Sequence, residues 1–374
     1  MRKFLPLILT AVLLLSCSAC ASGDPEPVDD VSVTSAPSSA PAPTPEPTPE
    51  PTPEPTPEPT PTPIPYTNPL TGEPMDKDIS SVRPYAVVFN NHNKAMPHCG
   101  VSGADILYEV LVEGTTRMLG VFSDINNAET LGSIRSMRPY ILEIAMSYDA
   151  IAVHAGGSDQ AYSDIASKGA NNIDGVRGWY GSKVFYRDQA RLSAGFDLEH
   201  TLFTTSEALS QCASELGYRA EHETDSFDYG LRFSSDLTRG GSILAEEITL
   251  NFGGYKTTSL NYSVQDKLYY LQQYGSDYID GNTNERVGFK NVLILYADMH
   301  VLDSYGRLSA DITGSGSGYY VCGSYAGEIT WSREGNGQIF TYTDGNGDEL
   351  DLAVGTTYIA IIPGNYPASD VHIN

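Results

Sequence analysis

Residues 132–158 read GSIRSMRPYILEIAMSYDAIAVHAGGS, and this stretch sets out four structural elements in a row. Arg135-Ser136-Met137-Arg138 is a polar turn. Pro139 suits the first turn of a helix, where a missing N–H costs nothing. Ile141, Ile144, Ala145 and Tyr148 then recur at helical spacing. Ala150–Ala155 (AIAVHA) reads as a short buried strand, and Gly156-Gly157-Ser158 turns the chain. Ser158 is placed to cap a further helix that stops before Gly169. The chain carries a formal net charge of −25. Two arginines so close together therefore mark this stretch as a candidate site.

Working outward, Pro84–Asn91 (PYAVVFNN) and Ile106–Glu113 (ILYEVLVE) have the apolar runs of strands. Gly114-Thr115-Thr116 turns the chain into Arg117–Asp124 (RMLGVFSD), which predicts a hairpin with a three-residue loop. In that register Glu113 faces Arg117, and Glu109 shares their face. Downstream, Ser206–Leu216 is helical, with Thr204 and Glu207 as a capping box and Leu209, Cys212 and Leu216 on the apolar side. Beyond residue 225 short strands alternate with glycine turns, among them EITLNF from Glu247, NVLILY from Asn291 and TTYIAII from Thr356. The expected class is α+β. Residues 66–225 form an N-terminal mixed α/β part with a sheet and packed helices. Residues 226–374 form a mostly antiparallel β part rich in tyrosine.

The N-terminus has another character. Arg2 and Lys3 precede an apolar run, Phe4–Leu15, too short to span a bilayer. Leu14-Leu15-Ser16-Cys17 follows and resembles the lipobox of bacterial lipoproteins, in which the cysteine receives lipid. Cys20, after Ala19, is the alternative lipidation site, and a cleaved secretory signal is the plainer reading. Residues 1–20 are thus a lipoprotein signal peptide. Residues 21–65, with the repeat PTPEPTPEPTPEP, are a disordered extended spacer that cannot bury a core. Acidic residues dominate the remainder too, which argues against nucleic acid as a partner. Of five cysteines, Cys99, Cys212 and Cys322 lie beyond the spacer, with no CxxC pair. No disulfide framework or metal site is indicated.

Each motif has a structural reading beside its functional one. The turn at His154, Gly156, Gly157 and Ser158 could present backbone N–H groups to an anion. Arg135 and Arg138 would add bidentate contacts. Structurally it is a capped βα turn whose arginines pair with Glu109, Glu113 or Asp149. Glu109 and Glu113 could serve as a paired acid and base, or as cross-strand partners of Arg117. Asp344-Gly345-Asn346-Gly347-Asp348-Glu349 has calcium-loop spacing at its start, but Glu349 is out of place for a ligand, and a hairpin turn explains it better. His98 beside Cys99 is no working pair. There is no HExxH, GxSxG or P-loop.

PLTGEP from Pro69, RPYAVVFNN from Arg83, SGADILYEVLVEG from Ser102, the 132–158 stretch, and FTYTDGNGDELDLAVGTTYIAIIP from Phe340 together resemble the YerB-like lipoprotein family. That family is a two-part domain of unknown function, and the likeness spans residues 67–363. The resemblance implies a Gram-positive, membrane-anchored lipoprotein with polar motif positions at Asn90, Asn91, Glu109, Glu113, Arg117, Arg135, Ser136, Arg138, His154 and Ser158. It transfers no catalytic residue and no cofactor. The acidic Asp197-Leu198-Glu199 before His200 departs from the expected pattern and puts local loop contacts in doubt. The expected function is a non-enzymatic extracytoplasmic binding module for an anionic cell-envelope component or a partner protein, anchored to the membrane by lipid. The alternatives are an envelope hydrolase using Glu109 or Glu113 with His154, and a scaffold using the C-terminal sheet.

Overall fold

The computed structural model describes residues 66–224, 227–335 and 337–374. The expected signal peptide and spacer, with Cys17 and Cys20, lie outside these residues. The described residues belong to one compact unit.

The protein is mostly β. The elements that place the site are β1 (Tyr85–Phe89), β2 (Ile106–Val112), β3 (Thr115–Phe122), α1 (Pro139–Ser147), β4 (Ile151–His154), α2 (Asp159–Lys168) and β5 (Asn172–Asp174). They are followed by β6 (Leu202–Thr205), α3 (Ser206–Glu215), β7 (Glu247–Phe252), β8 (Lys256–Ser263) and β9 (Leu268–Gln273). The chain closes with β10 (Asn291–Ala297), β11 (Gly314–Cys322), β12 (Tyr325–Arg333), β13 (Thr357–Pro363) and β14 (Val371–Ile373). One long sheet has the order β12-β11-β10-β13-β2-β3-β1-β4-β5, extended at the β12 edge by Ile243–Leu244. A smaller antiparallel sheet, β9-β8-β7-β14, lies over one face. Helix α1 packs on the other, where the Tyr140 hydroxyl donates to the Leu111 carbonyl at 2.8 Å and Tyr108 meets Tyr148 at 2.7 Å. Covered on both faces, β2 and β13 are buried at every position, as their near-continuous apolar sequences require.

Three expectations change. Helices are fewer than an α+β class implies, and among the described residues none follows α3. Strands beyond residue 225 form the smaller sheet but also join the N-terminal strands, because β13 runs parallel to both β10 and β2. The long sheet therefore crosses the 225/226 boundary. Thirdly, Val112 pairs with Thr115, so the hairpin loop is the two residues Glu113-Gly114. Thr115 and Thr116 are β-branched and extend the strand instead of turning. Gly114, at φ +68°, takes the left-handed position.

Local signals fared better. Ser158 caps α2 by accepting from the Ala161 N–H, and Gly169 ends it in the left-handed conformation. The cap of α3 is Thr205, one residue later than expected, because the Thr204 hydroxyl donates to the Val184 carbonyl. Cys212 is buried, and all three described cysteines are free.

Ile361 pairs with Val110 on one side and Leu295 on the other and is 1% exposed. Ile361→Ala should lower unfolding free energy by about 2–5 kcal/mol. In urea, tryptophan fluorescence and far-ultraviolet circular dichroism should lose signal together, since one sheet holds both parts. Two separated transitions in the wild type would show that the parts fold independently.

Candidate functional site

Strands β1, β2 and β4 run in one direction, as β1 is parallel to β4 and both β1 and β2 are antiparallel to β3. Their C-terminal ends supply Asn90, Glu113 and Gly157-Ser158. A cleft of about 600 Å³ opens there, the place where open sheets with parallel strands leave a crevice for ligands. The segment carrying the arginines is fixed by backbone bonds. The Arg135 N–H donates to Val88, while the Arg135 carbonyl accepts from Ala155 and the Met137 N–H donates to Gly156. The residues before α1 are thus stitched between β1 and the turn after β4.

Four guanidinium groups line the cleft, those of Arg117, Arg135, Arg138 and Arg307. Glu113, Asp159 and Glu199 oppose them, with His92, His200 and Tyr305 on the wall. Arg138 grips Glu113 in a bidentate pair, both bonds at 2.7 Å, and its Nη1 donates to the Met137 carbonyl. Arg117 is buried, donates to the Ser136 carbonyl at 2.7 Å and stands 3.8 Å from Glu113. Burial and the neighbouring Arg138 charge push its guanidinium below the usual arginine range. Arg135 differs: its Nη2 holds Glu199 at 2.8 Å, with side chains 28% and 52% exposed. Arg307 bonds Asp303 at 2.5 Å and lies 3.7 Å from Asp159.

The structure separates Glu109, one of the expected cross-strand partners, from Arg117 and Glu113. Side chains alternate across a strand, and Arg117 pairs with Val110 whereas Glu109 pairs with Met118. Glu109 and Arg117 consequently occupy opposite faces. Glu109 is fully buried beneath the smaller sheet and bonds Lys256 at 2.7 Å. Asn91 goes with it, donating from Nδ2 to Glu109 at 3.0 Å. His154 is buried as well, between the Gly156 carbonyl at 2.8 Å and the Asn172 side-chain oxygen at 3.1 Å. The Gly156 N–H donates to Asp174 at 2.7 Å, and Gly156 does not line the cleft. The glycine turn is thus closed by His154 and Asp174 and is no open anion cradle. Of the expected residues, Asn90, Glu113, Arg117, Arg135, Ser136, Arg138, Gly157 and Ser158 do meet at the cleft.

Sequence reasoning missed His92, Asp159, Glu199, His200, Tyr305 and Arg307. The acidic departure at Asp197-Leu198-Glu199 was a usable signal, for it supplies the Arg135 partner. Arg307 and Tyr305 come from a distant hairpin and left no local trace. Among the described residues no group of three or more His, Cys, Asp or Glu could hold a metal ion. Nor is any described helix long and apolar enough to cross a membrane. Asp344 accepts from the N–H groups of Asn346 and Asp348, closing a hairpin turn.

A family of unknown function matches this architecture. Residues 70–219 match the N-terminal domain of the DUF3048 proteins of unknown function, and residues 248–359 match the C-terminal domain. The chain belongs to this family. It is 31% identical over 300 residues to YerB of Bacillus subtilis (strain 168), a candidate lipoprotein by name, covering 79% of this chain and 86% of YerB. The crystal structure of the Bacillus subtilis YerB protein is similar with a TM-score of 0.70 at 27% identity, covering 82% of this chain and 99% of that one.

Burial alone would raise the Glu113 carboxyl, but the Arg138 hydrogen bonds and the Arg138 and Arg117 charges outweigh it and hold the pKa below the usual 4.5. A depressed folded pKa contributes stability at pH above the unfolded value and loses it as pH falls through the folded one. Glu113→Gln should therefore be less stable than the wild type at neutral pH, and the gap should close as pH drops below 4.5. Urea unfolding across pH measures this. A gap constant with pH would show that the pair contributes through shape and not charge.

Proposed function

We propose that the protein is a lipid-anchored extracytoplasmic binding protein that takes an anionic cell-envelope component in the arginine-lined cleft. The carrying observation is the gathering of Arg117, Arg135, Arg138 and Arg307 into one crevice of a strongly acidic chain. Arg138 and Arg117 are fixed by partly buried bonds and give the crevice its shape. The Arg135–Glu199 pair is exposed, and such pairs contribute about 0–1 kcal/mol. A carboxylate or phosphate can displace Glu199 at little cost and gain a planar fork of donors. The Cys17 lipobox and the lipoprotein name of YerB support the anchor.

The hydrolase alternative lacks its carboxylate. Both Glu113 oxygens are held by Arg138, and Glu109 and His154 are buried away from the cleft. Against the scaffold alternative, Tyr269, Tyr278, Tyr320, Tyr342 and Tyr358 are buried, and of the exposed Tyr255, Tyr274 and Tyr305, Tyr305 lines the cleft and Tyr274 donates to the Asn91 carbonyl.

Poly(glycerol phosphate), polygalacturonate and neutral dextran, added to the full chain, test the reading by thermal shift. The anionic polymers should raise the melting temperature, dextran should not, and the shift should shrink with salt. Arg135→Ala and Arg138→Ala should each abolish it. A shift that survives both substitutions would place binding elsewhere.

A further inference from the structure

The Glu109 side of the sheet holds chemistry that the cleft does not use. Lys256 and Glu109 are buried side chains, 1% and 0% exposed. Gln273 is buried beside them at 5%. The strands dictate the arrangement. Thr258 pairs with Gln273 between β8 and β9, so Lys256, two positions back, is the diagonal neighbour of Gln273 on the same face. Glu109 faces both from the long sheet. The Lys256 Nζ lies 2.5 Å from Gln273 Oε1 and 2.7 Å from Glu109 Oε1. The Gln273 carbonyl carbon is one bond beyond that oxygen. The buried amine thus reaches both the carboxamide and the carboxylate.

Two features exceed what an ion pair needs. The Gln273 amide nitrogen, Nε2, has no hydrogen-bond partner although it is buried. A glutamine placed only to satisfy the ammonium would leave that nitrogen bonded. Meanwhile Glu109 is held in one orientation by Thr116 at 2.6 Å, Asn91 at 3.0 Å, Thr258 at 3.1 Å and Tyr358 at 2.5 Å. Such clamping fixes the one carboxylate beside the amine. Burial also lowers the Lys256 ammonium below its usual range, against the opposing pull of Glu109.

We propose that Lys256 and Gln273 become joined by an amide bond that the protein forms itself, with Glu109 carrying the protons. Glu109 Oε1 takes one proton from the ammonium, freeing the Nζ lone pair. Nζ then attacks Cδ of Gln273 and the Nζ–Cδ bond forms. A second proton passes from Nζ through the same carboxyl to Nε2, the Cδ–Nε2 bond breaks, and ammonia departs. The departing ammonia takes the proton held by Glu109 and leaves as ammonium, so the carboxylate is restored. No oxidant or reductant is involved. The link would tie β8 to β9 beneath the long sheet, in a protein that works outside the cell.

Peptide mass mapping of the denatured, trypsin-digested full chain tests this. Lys256 should resist cleavage, and residues 240–267 should appear joined to residues 268–286. The joined species should weigh about 17 Da less than its two parts, the mass of ammonia, with fragment ions placing the link at Gln273. Lys256→Arg, Gln273→Met and Glu109→Gln should each yield linear peptides only. Linear peptides from the wild type, cleaved after Lys256, would overturn the proposal, whether or not the variants fold. A link at Gln272, or one that persists in Glu109→Gln, would overturn the pairing or the role of Glu109.

Discussion

The rest of the structure depends on one buried carboxylate. Taking Glu109 out of water costs several kcal/mol unless its lone pairs are met. They are met by Asn91 beyond β1, Thr116 on β3, Lys256 and Thr258 on β8, and Tyr358 on β13. These donors come from both sequence parts of the family and from both sheets. Removing one partner of such a pair typically costs about 3–5 kcal/mol, because the other charge stays buried. The two sheets can therefore close on each other only in the register that brings all five donors to Glu109. That requirement specifies how the parts dock more tightly than apolar burial alone could.

The cleft follows from the same constraint. With Glu109 turned toward the smaller sheet, alternation along β2 and β3 sends Val110 and Arg117 to the opposite face. Arg117 then lies under the segment 134–138, where its guanidinium meets the Ser136 carbonyl. Glu113 escapes the alternation because it belongs to the two-residue loop and is free to reach Arg138. A longer loop would have displaced Glu113 from Arg138 and left the arginines without their common partner. The crevice at the strand ends is thus a product of hairpin register as much as of charge.

Much of this was legible in the sequence, and the failures share a cause. Strands, caps and the cleft arginines are local features, read from apolar runs, Ser158 and Gly169, and a Pro139 helix start. The pairing of β13 with β2 joins residues far apart in the chain, and no local pattern announces it. Glu109 and Glu113 look equivalent as sequence, being two carboxylates at a spacing that suits either a strand face or a helix. One residue of hairpin loop separates a core lysine partner from a cleft wall, and loop length is set by whether Thr115 turns or extends. His154 invited a functional reading because histidine titrates near neutrality. Its two ring nitrogens instead close the turn that positions Gly157 and Ser158.

The three carboxylates among the cleft arginines bear on selectivity. A crevice of bare guanidinium groups would attract any polyanion, at long range and without regard to shape. Here Glu113, Glu199 and Asp159 neutralise most of that field while the crevice is empty, and the surrounding chain is acidic. An anion must therefore come close enough to replace a carboxylate before it gains anything. Glu199 is the replaceable one, being half exposed and joined to Arg135 by a single hydrogen bond, whereas Glu113 is held by two. Under the proposed function, discrimination would rest on placing one anionic group at Arg135 while the remainder of the ligand fits between Arg138, Arg307 and Tyr305. Repulsion built into the site, as much as attraction, sets what it accepts.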